Sequence, residues 1–418
     1  MKKIAIKTVL FSIILLISLG VKASGPIKIG VITDTHYLSE KLMDNGKAVN
    51  DYIKASGKNI KDAPAVLNKV LDDYLHSDIE VLLICGDITK DGEKESHFDF
   101  LNKLKPLQEK GIRIFTIPGN HDINMPNAVK FEGSKTVPVS NISPIEFEEI
   151  YADCGYKNAI KKDTASLSYV AELNNKTWLL AIDAARYKEY TTRSISAGRI
   201  LPSTEKWIVS VLDEARKKDI QVIGMMHWGL TEHIVYQSMF FKDYLVSDWQ
   251  RLASLFADKG MKTIFTGHFH SNDISAFTSD KGNIIYDIET GTLSAYPFSY
   301  RFVELSKDKM NINTKNIIAT DQNLNLAEKD KERMQDLSHK QAIQKLKNFG
   351  FGLSDLVTVK FADVFSQIFI LHAYGDEKPD EHLKESMKQL SAMMDTSMDM
   401  NEIELDFPPE DNNLEIIF

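Results

Sequence analysis

Aspartates, histidines and one asparagine recur along this chain in five short groups. They are Asp34-Thr35-His36, Gly86-Asp87, Gly119-Asn120-His121-Asp122, the single His227, and Gly267-His268-Phe269-His270. Carboxylate oxygens mixed with imidazole nitrogens are the donor set that iron, manganese and zinc accept. Asp34 and His36 stand two apart, so at the end of a strand both side chains lean to one side. Asp87 has an oxygen to share between two ions, and Asn120 offers a neutral carbonyl oxygen. His227, His268 and His270 add imidazoles. Gly86, Gly119 and Gly267 each precede one of these residues, where the missing Cβ allows a tight turn and close approach of the backbone to a metal or a phosphate. The chemistry such a set can do is phosphoester hydrolysis, in which anionic oxygens repel the nucleophile. Two ions about 3.5–4 Å apart lower the pKa of a bound water and neutralise phosphoryl charge.

The elements that must position these groups are short apolar runs rich in β-branched residues, and each group lies directly behind one. The pattern predicts strands at 27–33, 81–85, 112–117, 167–171, 178–182, 222–226, 263–266, 284–288 and 302–305. Helical spacing lies between several of them, at 65–75, at 98–104 with Pro106 as its stop, and at 207–215. This alternation is that of an α/β fold, a sheet core layered with helices. In such folds, sites gather at the carboxyl ends of strands, which is where every group sits.

The chain has 418 residues, 43% hydrophobic and 26% charged, which argues against wholesale disorder. Its formal net charge is −9 with no basic block, so binding to a nucleic-acid duplex is not expected. Lys2, Lys3 and Lys7 precede a nearly continuous apolar run from Thr8 to Val21, and Val21-Lys22-Ala23 suits a signal peptidase. Residues 1–23 read as a signal peptide cleaved after Ala23, giving a secreted or periplasmic protein with no stable membrane span once it is removed. An uncleaved anchor is the alternative. No cysteine stands near the cleavage position, which argues against a lipoprotein. Residues 24–320 form the main domain, and composition shifts near 319–326. Residues 321–418 read as a helical C-terminal subdomain with an acidic tail extended over the surface. Met334, Leu337, Ile343, Leu346 and Phe349 share a helix face, 356–371 should be well buried, and Pro379 opens a third helix with Leu383, Met387 and Leu390. Cys85 reads as a buried strand residue, and a disulfide to Cys154 is not favoured.

Taken together, the five groups resemble the calcineurin-like metallophosphoesterase superfamily in type and order, over roughly residues 27–305. The resemblance implies a two-sheet sandwich flanked by helices, and a metal-dependent hydrolase that takes a small phosphoester substrate and uses a metal-activated hydroxide. It implies two divalent or trivalent ions (iron, manganese or zinc), one held by Asp34, His36, Asp87 and His270, the other by Asp87, Asn120, His227 and His268. It also implies that His121 faces the phosphate, with Asp122 placed to orient its imidazole. The run Gly86-Asp87-Ile88-Thr89-Lys90-Asp91-Gly92-Glu93 looks like the class III cyclic-nucleotide phosphodiesterase branch and its secreted bacterial relatives. Lys90 stands where purple acid phosphatases carry a metal-bound tyrosine, a departure that argues against a purple enzyme. A diester is therefore the first substrate expectation. A phosphomonoesterase or nucleotidase, or a non-catalytic metal-dependent binding protein, is the alternative.

Other polar residues carry less. His76 and His97 read as helix-surface residues, while His233 could reach a pocket shared with His227. Arg193 and Arg199 could hold a phosphate. Trp228 and Tyr37 could stack on a substrate ring or pack in the core. His372-Ala373-Tyr374-Gly375-Asp376 lies outside the resemblance and suggests no role.

Overall fold

The computed structural model describes residues 25–350, 352–394 and 405–418. The expected signal peptide, 1–23, lies outside the described residues. In chain order the strands are β1 (Ile27–Ile32), β2 (Val81–Ile84), β3 (Arg113–Thr116), β4 (Val129–Glu132), β5 (Lys135–Pro138), β6 (Lys161–Lys162), β7 (Tyr169–Asn174), β8 (Thr177–Ile182), β9 (Gln221–Met226), β10 (Thr263–Thr266), β11 (Asp273–Thr278), β12 (Ile284–Glu289), β13 (Ser299–Leu305), β14 (Lys309–Asn316) and β15 (Asn413–Ile417). The helices are α1 (Lys47–Ala55), α2 (Ala63–Leu75), α3 (Lys94–Glu109), α4 (Pro144–Ile150), α5 (Pro202–Lys217), α6 (Gln237–Phe240), α7 (Trp249–Asp258), α8 (Leu326–Phe349), α9 (Asp355–Tyr374) and α10 (Glu381–Met394).

Two sheets form the sandwich that the sequence led us to expect. One runs β15-β14-β13-β1-β2-β3, the other β11-β12-β10-β9-β8-β7-β6. β1, β2 and β3 are parallel, as are β8, β9, β10 and β12. Strands buried on both faces read as continuous apolar runs. Val81–Ile84, for example, is wholly buried. Ile29, Val31, Leu83 and Phe115 meet Leu179, Ile223, Phe265 and Ile288 in the core between the sheets. On the outer face of the second sheet, Leu180, Val222 and Ile264 pack under Ile208 and Leu212 of α5 and Phe256 of α7.

Three local expectations are corrected. Pro106 does not stop its helix; α3 runs through it to Glu109. In the last turn a proline removes only one internal hydrogen bond. The helix 355–374 is not buried throughout, since Leu356 and Val359 are exposed. The tail is not merely extended over the surface: β15 pairs antiparallel with β14 at the edge of the first sheet. By length and composition α9 could cross a membrane. It packs between α8 and α10, with Val364 and Ile368 against Leu383, Met387 and Leu390 of α10.

Candidate metal centre

The parallel strands of both sheets end on one edge. The turns after β1, β2, β3, β9 and β10 carry Asp34 and His36, Asp87, Asn120 and His121, His227, and His268 and His270, respectively. The chain makes these turns at a cost. Asp34, His36, Asp87, His268 and His270 all have left-handed backbones, with φ of 49°, 39°, 46°, 76° and 69°. Each such non-glycine residue is disfavoured by about 1–3 kcal/mol and persists only where its surroundings over-determine it. The glycines are required by close approach. A Cβ on Gly119 would meet Asp87 Oδ1 at 2.2 Å, and one on Gly267 would meet Asp34 Oδ2 at 2.5 Å.

Two triads form. Asp34, His36 and His270 each bring a donor atom within 4.8 Å of the others, and so do Asp87, His227 and His268. Asp87 Oδ2 lies 3.7 Å from His36 Nε2 and 3.3 Å from His227 Nε2, so this one oxygen faces both triads. Its partner oxygen accepts from the His121 backbone N–H at 2.8 Å. Asp34 Oδ1 is 3.1 Å from His270 Nε2 and 3.6 Å from His36 Nε2. His227 Nδ1 lies 2.8 Å from the Cys85 carbonyl and donates to it, which leaves Nε2 with a free lone pair. His268 Nε2 reaches the Asp243 carbonyl at 3.3 Å, leaving Nδ1 as that ring's acceptor.

These residues fit a metal. Two buried atoms here, Asn120 Oδ1 and His227 Nε2, have no hydrogen-bond partner, a costly state without a ligand. His36 is held neutral by burial and by Lys58, and burial with His227 lowers His268 to about 3. Burial alone would lower His227 as well, but Asp87 and Asp34 carry it up to about 9. A cation between those carboxylates takes the place of that proton. Burial opposes ionisation of Asp87, yet His227 and His121 hold it well below the usual carboxylate range.

His121 belongs to neither triad; its ring lies edge-on to that of His36, with centroids 5.2 Å apart, and its side chain is 22% exposed. The expectation that Asp122 orients it is corrected. Asp122 accepts from the backbone of Thr89 at 2.9 Å and of Gly119 at 2.8 Å, so both of its oxygens serve the turns. Burial raises its pKa to about 6. Asp91 orients His121 instead, with Oδ1 2.7 Å from Nδ1. Burial would raise Asp91, but Lys90, His121 and Lys58 keep it ionised. Lys58 Nζ is 3.1 Å from His121 Nε2. Sequence reasoning missed both partners. Asp91 stood in the Gly86–Glu93 run beside Lys90, whereas Lys58 had no signal around it.

Above the centre opens a cavity of about 740 Å³, floored by His36, Asp87, Asn120, His121 and His270. Phe240, Phe241 and Phe269 wall it from the sandwich side, and Phe361, Phe365 and Phe369, four apart along α9, from the helical side. The remaining sequence expectations divide. Trp228 packs on the His227 and His268 rings, at 4.9 and 5.3 Å, and Tyr37 on Phe100, so both are core residues. Arg193 is exposed and Arg199 pairs with Glu189; neither lines the cavity. His233 does not line it either, being buried among Asp273, Asp287 and Glu289. His76 is exposed as expected, but His97 is fully buried between Tyr151 Oη and the Asp122 carbonyl, each at 2.9 Å. Cys85 and Cys154 are buried free thiols.

The profile of the calcineurin-like phosphoesterase family matches residues 27–272, more than half of the chain. No curated protein gives a significant match. Among solved structures, a dimetal phosphatase from Danio rerio is similar at 13% identity and a TM-score of 0.50, over 70% of this chain and 96% of that one. A purple acid phosphatase from yellow lupin is similar at 14% identity and a TM-score of 0.42, over 70% of this chain and 52% of that one. A phosphopantetheinyl hydrolase from Mycobacterium tuberculosis is similar at 11% identity and a TM-score of 0.34, over 68% and 98%. The first of these likenesses, at 13% identity, speaks for the fold alone. The family match, together with two triads of metal-donor side chains, leads to one conclusion: the chain belongs to the calcineurin-like phosphoesterase family and is a metal-dependent phosphoric ester hydrolase.

Proposed function

We propose that the chain is a dinuclear phosphoesterase. One ion is held by Asp34, His36, Asp87 and His270, the other by Asp87, Asn120, His227 and His268. The observation that carries this reading is the position of Asp87 Oδ2, between His36 Nε2 at 3.7 Å and His227 Nε2 at 3.3 Å. Bound there, two ions supply an acidified water and neutralise phosphoryl charge. The side chains do the rest. His121, steadied by Asp91, donates a hydrogen bond to a phosphoryl oxygen or a proton to the leaving oxygen. Lys58 adds a positive charge at the same end of the cavity, and the phenylalanine walls exclude water and accept an apolar or flat substituent on the ester.

The proposed substrate is a small phosphodiester, a cyclic nucleotide being one member of the class. A monoester is the second reading, favoured by Lys58, whose charge suits a dianion. Turnover of aryl diesters and aryl monoesters, assayed with manganese, iron and zinc, separates them: the diester should be preferred by at least tenfold, and a reversed preference overturns this assignment. We further propose export, on the strength of Lys2–Ala23. Amino-terminal sequencing of the exported protein should begin at Ser24, and a retained Met1 would contradict it.

A further inference from the structure

A second group of ionisable side chains lies where the helices meet the sandwich, away from the cavity floor. Asp273 opens β11, Asp287 and Glu289 close β12, His372 ends α9, Glu377 follows it, and Asp411 precedes β15. All are buried; Asp273, Glu289 and Asp411 are fully so, and Glu377 and His372 are 3% exposed.

The cations here are spoken for. His233 serves three carboxylates, with Nδ1 2.6 Å from Asp273 Oδ1 and Nε2 3.1 Å from Asp287 and 3.5 Å from Glu289. Arg301 spends its donors on the carbonyls of Glu289 and Asp411, both at 2.6 Å, and on Thr314 at 2.7 Å. Asp273 Oδ2 and Glu377 Oε2 remain buried without a hydrogen-bond partner. A buried carboxylate oxygen without a partner is costly.

Geometry supplies the counter-charge. Asp273, His372 and Glu377 each place one donor atom within 4.8 Å of the others, and Glu377, Asp406 and Asp411 do the same. His372 Nδ1 is 3.9 Å from the orphaned Asp273 Oδ2 and in contact with Glu377 Oε1. Two carboxylates and a neutral imidazole balance a divalent ion, and the mixed oxygen and nitrogen donors suit manganese or zinc. We propose that Asp273, His372 and Glu377 bind a divalent cation, separate from the catalytic pair, that fastens the end of α9 to the sandwich. The fastening bears on the loop between β10 and β11, which carries His268 and His270. Asn272 donates to the carbonyls of Ala373 at 3.3 Å and Tyr374 at 3.4 Å, and Phe269 packs on His372 at 5.3 Å. The ion therefore holds one wall of the cavity in register with its floor.

The test uses the purified chain with the catalytic pair disabled by Asp87→Asn. After loading with manganese or zinc and desalting, metal content is read by mass spectrometry and the melting midpoint is measured with and without chelator. One retained equivalent and a chelator-dependent drop of about 5 °C or more are expected. Adding Glu377→Gln, or His372→Gln where that variant does not fold, should remove both. A folded Asp87→Asn protein with no metal above background and a chelator-independent midpoint overturns the proposal. So does a metal equivalent that survives both junction substitutions.

Discussion

Two clusters of buried carboxylates and imidazoles flank the loop between β10 and β11, and the backbone treats them differently. At the proposed catalytic centre Asp34, His36, Asp87, His268 and His270 all sit at left-handed φ, whereas at the junction Asp273, His372 and Glu377 do not. The centre opens into a cavity, with the His121 and His270 side chains 22% and 21% exposed; the junction is sealed, with the Asp273 and Glu377 side chains at 0%. Strain and access coincide at one cluster, and relaxed geometry and closure at the other. Similar donor sets can thus serve different ends. The first is built to reach a substrate, the second to hold two parts of the fold together.

Substitutions at the centre should cost turnover before stability. His121→Ala is expected to lower kcat by about 10²–10⁴-fold. Metal content and melting midpoint should stay near wild type, because His121 supplies no donor atom to either triad. Loss of bound metal in that variant would show that His121 belongs to the ligand set.

Asp91 and Asp122 sharpen the contrast within the centre. Asp91→Asn should lower kcat by about 10–100-fold with KM little changed, as for a carboxylate that steadies a working imidazole. Asp122→Asn should leave kcat within a few fold and lower stability by about 1–2 kcal/mol, since it loses an acceptor for the turn amides of Thr89 or Gly119. The reverse ranking would return the orienting role to Asp122.

The same contrast explains what could be read in advance. The strands behind the five groups are apolar and β-branched, and their motifs span at most four residues, so pattern alone located Asp34 through His270. β14, with the sequence Lys-Met-Asn-Ile-Asn-Thr-Lys-Asn, and its edge partner β15, inside an acidic tail, carry polar residues that hide the apolar period. Their pairing is a tertiary fact with little local signal. The junction cluster was illegible for a related reason. Its ligands come from β11, the end of α9 and the loop after it, about a hundred residues apart, with no repeat or motif to join them. His97 was misread because helix spacing cannot tell a solvated histidine from one capped on both nitrogens.

That capped histidine supplies a control for both clusters. Both His97 nitrogens have partners, unlike His36, His227 and His372, each of which leaves one nitrogen without any. Burial lowers its pKa to about 3, while the unfolded chain takes up this proton near 6.5. Between those values the unfolded state binds more protons, so stability is kept above about pH 6.5 and lost as pH falls toward 3, by at most about 1.4 kcal/mol per unit. His97→Gln should remove that component of the slope in denaturant midpoints measured from pH 7 to 4, with metal content unchanged. An unaltered slope would mean that His97 is already charged in the fold.

The dinuclear assignment rests on Asp87, and it is tested most directly by measuring metal content and phosphodiester turnover together for wild type and Asp87→Asn. The substitution preserves size and the acceptor for His121 N–H but weakens the shared oxygen. The expected result is a loss of both metal equivalents of the pair with turnover reduced by about 10³-fold or more. Wild-type turnover with undiminished metal would contradict it.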